Sequence, residues 1–176
     1  MQVRSGQEER AHTLLGRSVD ESLYDEAFVP YYEKKIARQG VWSLVREILL
    51  PGYLFVSTED IDALNVALRG VPTYARILAN EDGFRRMPQD DADWLTRYAG
   101  PTSWTIGFST GRIEEGVLRV DSGPLVGRED DINKLDRRKR LAYLGFHLRD
   151  AEEPRLIRVG LEVVSKTVHG TPAPHP

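Results

Sequence analysis

A glycine-proline turn that leads into a strand and a run of cations constrains the fold of this chain more than any other sequence feature. The turn is Ser122-Gly123-Pro124, where glycine accepts a positive φ and proline fixes its own φ. An alternating segment at 117–121 precedes it, and a segment at 131–136 follows it and runs into Arg137-Arg138-Lys139-Arg140. We predict that these two segments form a β-hairpin with a basic edge.

The spacing of short apolar segments predicts a small β-barrel in the second half of the chain. The candidate strands lie at 117–121, 131–136, 140–148, 156–159 and 161–164. Several short strands at such spacing are typical of an all-β barrel. The preceding residues 99–116 combine Gly, Pro, Ser and Thr without clear periodicity, which indicates a linker.

A second motif, Leu50-Pro51-Gly52-Tyr53, opens an apolar segment in the first half of the chain. The Pro-Gly pair indicates a turn, and residues 53–56 have the pattern of a buried strand that begins directly after it. Taken alone, the motif requires no function, because aromatic residues in strands mostly belong to the core.

Periodicity predicts that the first half combines helices with an antiparallel sheet. Apolar residues at helical spacing mark 7–19 and 60–69, with Thr58 as the candidate N-cap of the second helix, and Pro88 opens a third helix. Strands are predicted at 28–32, 41–50, 53–56 and 73–78. This order of elements is typical of an α+β fold, in which helices pack on the faces of the sheet.

Composition excludes several kinds of site. The chain has no cysteine, so disulfides and thiolate metal sites are excluded, and this fits a cytoplasmic protein. The histidines show no ligand-like spacing, and we predict neither a metal nor a cofactor; they are His12, His147, His169 and His175. No apolar run approaches the roughly 18 residues of a membrane span, so we predict no membrane partner.

Charge is distributed unevenly along the chain, although the formal net charge is only −3. Residues 1–98 hold 12 Lys and Arg against 16 Asp and Glu, whereas residues 117–166 hold 11 against 9. The local field within a Debye length matters more to a partner than the total charge. Binding of a nucleic acid by the second half is therefore compatible with a net negative chain.

The two motifs, in this order, resemble those of the NusG/RfaH-type transcription elongation factors. The family's N-terminal domain, called NGN, follows its Pro-Gly-Tyr with a helix and a Val-Pro segment, as this chain does at Gly70-Val71-Pro72. The Ser-Gly-Pro segment and the basic run resemble the family's KOW motif, a small SH3-like barrel, and are most similar to the LoaP branch of antiterminators. The resemblance implies an NGN domain over 1–98, a linker over 99–116, a KOW domain over 117–166 and a disordered tail over 167–176.

The resemblance also implies partners. In the family, the segment that matches Leu50, Pro51, Gly52 and Tyr53 lines a hydrophobic pocket that grips the clamp helices of the largest catalytic subunit of bacterial RNA polymerase. A LoaP-type KOW domain is implied to bind a hairpin in the nascent leader RNA. The implied protein is a monomeric, non-enzymatic, cytoplasmic factor that promotes processive antitermination of a long operon.

Six cations are the candidate RNA contacts: Arg128, Lys134, Arg137, Arg138, Lys139 and Arg140. Alternate side chains of a strand leave on opposite faces, so four successive cations would place two on each side of the ribbon. The alternative is a solvated turn, which most charge runs are. The acids at 129–131 would weaken this edge, and Asp130 stands where a KOW motif usually has glycine.

Three other functions remain open at this point. A housekeeping NusG would bind Rho or the ribosome through its KOW domain, and a ribosome-associated KOW protein would lack the Pro-Gly-Tyr domain. The segment Gly107-Phe108-Ser109-Thr110-Gly111 fits the nucleophile motif of serine hydrolases, with Asp121 and His147 in the required order. That motif needs a strand before it and a helix after it, and the strands predicted here disfavour an enzyme.

Compared with the family, Met1-Gln2-Val3 is short by part of the first strand. We therefore expect that translation of the native protein starts upstream of Met1.

Overall fold

The computed structural model describes residues 1–71, 79–80, 83–84, 86–146 and 155–167. For residues 79–80, 83–84 and 166–167 the description covers the backbone alone. The strand predicted at 73–78 lies outside the described residues, as do His147 and residues 168–176 of the predicted tail.

The described residues form an α+β structure. Its helices are α1 (Glu8–Ser18), α2 (Ile61–Leu68) and α3 (Gln89–Ala99). Its strands are β1 (Glu26–Phe28), β2 (Tyr31–Arg38), β3 (Val41–Ile48), β4 (Phe55–Ser57), β5 (Ala79–Asn80), β6 (Gly83–Phe84), β7 (Thr105–Ile106), β8 (Ser109–Glu114), β9 (Val117–Ser122), β10 (Ile132–Asp136), β11 (Leu141–Phe146) and β12 (Arg155–Thr167). Short 3₁₀ helices span Glu21–Leu23 and Glu129–Asp131. In the part of the chain that is described, no helix is long and apolar enough to cross a lipid bilayer.

The three predicted helices are confirmed, because their starts are encoded locally. Pro88 precedes α3, and acidic residues occupy its first turn. The predicted N-cap of α2 is wrong: the Asp60 side chain accepts a hydrogen bond from the backbone N–H of Ala63 at 2.9 Å. Thr58 instead donates its hydroxyl to the carbonyl of Leu23 at 2.7 Å, and thus anchors the connection that leads into the helix.

The N-terminal half of the molecule, from α1 to β7, contains a three-stranded sheet in the order β3-β2-β7. Strands β2 and β3 form an antiparallel hairpin, and β7 runs parallel to β2. The predicted strand at 28–32 is divided at Pro30, which has no N–H for a ladder. Strand β1 therefore ends at Phe28 and pairs with β4, whereas β2 begins at Tyr31.

The C-terminal sheet consists of five strands in the order β10-β11-β12-β8-β9. The two strands predicted at 156–159 and 161–164 are one strand, β12, which continues through Gly160. Its first part pairs with β11 and its second part pairs in parallel with β8. Each part of β12 thus has its own partner, so no turn is needed at the glycine.

Strands β7 and β8 lie within residues 99–116, so the prediction of irregular linker structure is wrong for these positions. Gly111 misled the prediction because glycine weakens a strand pattern. In the structure, a Cβ atom at Gly111 would collide with the backbone of Arg119 in β9. The glycine allows the two backbones to approach closely, which is another reason why glycine occurs within strands.

The hairpin predicted around Ser122-Gly123-Pro124 is also wrong. Strands β9 and β10 lie at opposite ends of the sheet order. β9 instead forms a hairpin with β8, and β10 forms one with β11 through residues 137–140. Gly123 has φ of +92°, and a Cβ atom there would collide with Ser109. The tripeptide therefore packs against β8 and does not turn one strand onto the next.

The N-terminal half and the C-terminal sheet share a hydrophobic core. Buried residues of both regions form one cluster, including Leu95 of α3 and Phe146 of β11. The Trp94 and Phe146 rings meet edge to face with centroids 5.0 Å apart. Gly160 lies so close to β2 that a Cβ atom would overlap the carbonyl oxygen of Glu33. A second cluster, which includes Leu15 of α1 and Leu64 of α2, lies within the N-terminal half.

Candidate functional site

Four half-buried aromatic rings form a continuous row on the N-terminal half, here called the aromatic row: Trp104, Phe28, Phe55 and Tyr53. The Trp104 and Phe28 rings are nearly parallel, with centroids 3.7 Å apart and an interplanar angle of 6°. The centroid distances from Phe28 to Phe55 and from Phe55 to Tyr53 are 5.5 and 6.4 Å. The row packs against the shared core, so it presents a supported apolar surface.

The end of the row at Trp104 is held by several contacts. The indole N–H donates to the Glu26 carboxylate at 2.5 Å, and the Trp104 carbonyl accepts from the N–H of Tyr31 at 2.8 Å. Trp104 has φ of +45°, which is rare for a bulky residue. Strained backbone of this kind persists only where its surroundings hold it, and it is frequent at functional sites.

The other end of the row is positioned by the turn at Pro51-Gly52. The buried Glu8 carboxylate accepts from the N–H of Gly52 at 2.7 Å, and the N–H of Val3 donates to the Gly52 carbonyl at 2.9 Å. Gly52 has φ of +90°, a conformation that glycine adopts without strain. The turn is therefore fixed from both sides, and Tyr53 follows it directly.

The predicted residues of this segment occupy different depths. Leu50 and Gly52 are buried, Pro51 is exposed and Tyr53 is half-buried. Leu50 therefore supports the surface from below, while Pro51 and Tyr53 can be touched by a partner. Sequence reasoning missed Phe28, Phe55 and Trp104. Phe55 could have been found, because residues two apart in a strand share a face with each other.

The four consecutive cations form the turn between β10 and β11, here called the basic turn (residues 137–140). Arg140 has φ of +55°, so these residues are not a strand, and the prediction of two cations on each side is wrong. Arg137, Arg138 and Lys139 are exposed. The Lys139 ammonium lies 3.8 Å from the Asp136 carboxylate, a distance at which an exposed pair contributes little.

Arg140 contacts Trp42 of the N-terminal half and Glu162 of its own sheet. Its Nε donates to Glu162 at 2.6 Å, and its guanidinium lies 3.2 Å from the centre of the Trp42 ring. Lys35 of β2 pairs with the same Glu162 carboxylate. The hydrogen bond from Lys35 is the main cause that lowers the pKa of Glu162. The ionised carboxylate therefore stabilises this contact at neutral pH, and the contribution is lost as the pH falls through the lowered pKa.

The remaining candidate RNA contacts differ in exposure. Lys134 is exposed, and its ammonium lies 5.4 Å from the centre of the Tyr143 ring. Arg128 is half-buried and lies 5.3 Å from the ring centre of Tyr98 in α3. The structure thus brings Arg137, Arg138 and Lys139 together, and places Arg128 against the N-terminal half.

The acids near the basic run have internal partners. Glu129 accepts from the backbone N–H of Val120 at 2.8 Å, and this bond is the main cause that lowers the pKa of Glu129. Asp131 accepts from the hydroxyl of Tyr98. Asp130 lies in a 3₁₀ helix, while Gly127 takes the left-handed conformation with φ of +69°. The turn therefore tolerates aspartate at position 130.

The described residues offer no support for hydrolase chemistry. Ser109 is fully buried in β8, and its hydroxyl lies 3.4 Å from the N–H of Leu125. Asp121 pairs with Arg112, and a strand rather than a helix follows the Gly-x-Ser-x-Gly segment. Among the described residues, no group of three or more His, Asp or Glu side chains could hold a metal ion.

The site thus combines an apolar aromatic surface with a turn that carries three exposed cations. A family model described as "Transcription termination factor nusG" matches residues 1–95. This is more than half of the 176 residues, and the chain belongs to the NusG family of transcription elongation factors. Members of this family bind RNA polymerase and are not enzymes. A comparison with curated proteins gives no match.

Proposed function

We propose that this protein binds bacterial RNA polymerase through the aromatic row and promotes antitermination of a long operon, with the C-terminal sheet recognising a hairpin in the leader RNA. The proposal includes an NGN domain over 1–98 and a KOW domain over 117–166, to which β8 adds a strand. The observation that carries it is the pairing of an apolar aromatic surface in one region with exposed cations in another. Family membership supports the polymerase as the first partner.

The clamp helices are a suitable partner for the aromatic row. An amphipathic helix pair buries its apolar face in a hydrophobic surface, and aromatic residues are the commonest anchors of such contacts. Tyr53 and Phe55 follow the turn at Pro51-Gly52, and the rings of Phe28 and Trp104 extend the apolar surface. Four rings supported by a core lose little conformational freedom on binding, which favours affinity.

Replacing Tyr53 with alanine is expected to weaken binding of the clamp-helix fragment by about 2 kcal/mol or more, because an aromatic anchor is removed. Fluorescence titration measures the affinity, and circular dichroism reports the fold. Tyr24→Ala is the matched control, since Tyr24 is also half-buried but lies in the other cluster. Unchanged affinity of folded Tyr53→Ala would contradict the proposed contact. If Tyr53→Ala does not fold, Tyr53→Leu is measured in its place, because leucine keeps apolar bulk against the core and still removes the aromatic ring.

The basic turn is suited to phosphate contact because its exposed cations are held in a structured turn. Asp136 accepts a hydrogen bond from the backbone N–H of Lys139 at 2.9 Å, which fixes the start of the turn. Lysine and arginine supply most of the affinity for nucleic acids through phosphates. Structured RNA presents backbone, loops and unpaired bases, which a projecting turn can reach.

Replacing Arg138 with alanine is expected to weaken RNA binding and to flatten the slope of log K against log salt by roughly 0.7 to 0.9, the value of one phosphate contact. Arg140→Ala should change the slope less, because its guanidinium already pairs with Glu162 and packs on Trp42. Arg119→Ala, an exposed arginine on β9 at the other end of the sheet, is the control. Mobility shifts of the full-length chain with the leader hairpin at several salt concentrations provide the measurement. If the slope of log K against log salt is the same for wild type and for every variant, the role of the turn is contradicted.

A housekeeping role is the second candidate, and the word "termination" in the description of the matching family favours it. In that role the C-terminal sheet would bind Rho or the ribosome. The full-length chain would then bind a leader hairpin and its scrambled control equally, or neither of them. Preference for the leader hairpin supports antitermination.

A further inference from the structure

The tip of the β2–β3 hairpin is an exposed surface that the proposed function does not use. All residues from 37 to 44 are exposed, and the apolar ones among them are unusually open to solvent. Val41, Trp42 and Leu44 are 65%, 44% and 51% exposed. Exposed large apolar residues that occur together mark an interaction site more often than single ones do.

This tip lies directly beside the basic turn, although the two segments belong to different regions of the chain. The Arg140 guanidinium lies 3.2 Å from the centre of the Trp42 ring and is held there by Glu162. Glu162 also pairs with Lys35 of β2, so the contact has an anchor on each side. The indole of Trp42 therefore lies next to the turn that carries the exposed cations at 137–139.

The tip and the basic turn together carry more cations than acids, although the chain as a whole is negative. Residues 34–46 contain four cations and no acid, and residues 137–146 contain four cations and no acid. Lys34 pairs with Glu47, and Lys35 and Arg140 pair with Glu162. The exposed members of the set are Arg38, Arg46, Arg137, Arg138 and Lys139. Of these, Arg46 lies over the Tyr31 ring and Lys139 lies 3.8 Å from Asp136.

An exposed aromatic ring among cations has the composition of a binding site for unpaired nucleotides. Bases stack on aromatic side chains while lysine and arginine contact the adjacent phosphates. A guanidinium that already stacks on one side of an indole adds to such an arrangement. An apolar protein partner fits less well, because it would remove water from several cations without supplying acids.

We infer that Trp42 stacks an unpaired RNA base next to the hairpin stem that the basic turn holds. This inference rests on the proposed RNA recognition and extends it, since it gives the N-terminal half a direct part in reading RNA. Trp42 and Arg138 then have different tasks. Trp42 recognises an unpaired base, and the turn holds phosphates of the stem.

The test uses the full-length chain with two RNAs: the stem-loop of the gene's own operon leader with its flanking unpaired nucleotides, and the same stem-loop without them. Wild-type protein is expected to bind the first RNA roughly 5-fold to 150-fold more tightly, the range that stacking of one base supplies. Trp42→Ala should lose this preference and keep its affinity for the second RNA, while Trp42→Phe should keep most of the preference. Val66→Ala, an exposed apolar residue of α2, should behave as wild type.

A spectroscopic measurement separates stacking from an indirect effect. With 2-aminopurine at the unpaired position, wild-type protein should change its fluorescence on binding, and Trp42→Ala should not. An unchanged preference in Trp42→Ala would overturn the inference, and so would an equal loss on both RNAs, since Trp42 would then act by positioning the turn. If Arg138→Ala weakens binding while Trp42→Ala does not, only the stacking inference fails. Failure of the wild-type protein to bind either RNA would overturn the proposed RNA recognition as well.

Discussion

Gly160→Ala is expected to lower the free energy of unfolding by about 3 kcal/mol or more, because the added methyl group has no space. It would overlap the carbonyl oxygen of Glu33 and the ring of Phe108. A backbone carbonyl cannot rotate away as a side chain can, so β2 and β12 would have to separate. Urea denaturation followed by circular dichroism measures the change as a shift of the midpoint.

The same substitution in α1 is the control for Gly160→Ala. Gly16 is exposed within the helix, and the nearest atom to an added Cβ would be the Tyr24 hydroxyl at 3.8 Å. Gly16→Ala is therefore expected to stabilise the protein by about 0.5 to 1 kcal/mol, through helix propensity alone. If both variants unfold at the wild-type urea concentration, the close approach of β2 and β12 does not exist in solution.

Phe146→Ala is expected to destabilise the whole molecule by about 3 to 5 kcal/mol, the usual cost of removing a buried aromatic ring. Phe146 is fully buried, and it meets Trp94 of α3 across the boundary between the two regions. Loss of this ring should therefore lower the stability of the N-terminal half and of the C-terminal sheet together. Tryptophan fluorescence and far-ultraviolet circular dichroism should give one coincident transition, before and after the substitution.

Val117→Ala is the control for Phe146→Ala, because Val117 is an exposed residue of β9. Its effect should stay within about 0.5 kcal/mol. Two separate unfolding transitions in the wild-type protein would show that the regions fold independently. In that case the substitution at Phe146 would shift only the transition of the C-terminal sheet.

Local signals were sufficient to predict the helices. The start of α3 depends on Pro88 and on acids in its first turn, and α2 ends at Leu68, directly before Arg69 and Gly70. All these residues lie within a few positions of the helix end that they determine. Such features do not depend on the rest of the fold, so sequence reasoning found them.

The strand partners that lie far apart in the chain were not predictable in the same way. β8 pairs with β12, from which it is separated by three other strands, and also with β9, which directly follows it. These pairings show that residues 109–114 are not a linker. The Ser-Gly-Pro segment has the composition of a hairpin turn, yet its glycine serves contact with Ser109. Composition identified a turn, and tertiary packing decided which strands it connects.

The candidate site was predicted in part for the same physical reason. Tyr53 was recognisable through the family resemblance of its Pro-Gly-Tyr motif, whereas Phe28 and Trp104 come from two other segments of the chain. The basic turn was visible as a charge run. The sequence pattern does not reveal that Arg140 has a positive φ and pairs with Glu162.

The position of β12 in the C-terminal sheet has a consequence for how the protein is made. β12 is the central strand of the sheet, yet it is the last of the described strands to be synthesised. Until it leaves the ribosome, β8 and β11 lack the neighbour that joins them, and the sheet exists only as two separate pairs of strands. Contacts of such long sequence separation slow folding. The N-terminal half, whose helices form from local signals, can therefore order itself first and offer β2 as a surface on which the completed sheet docks.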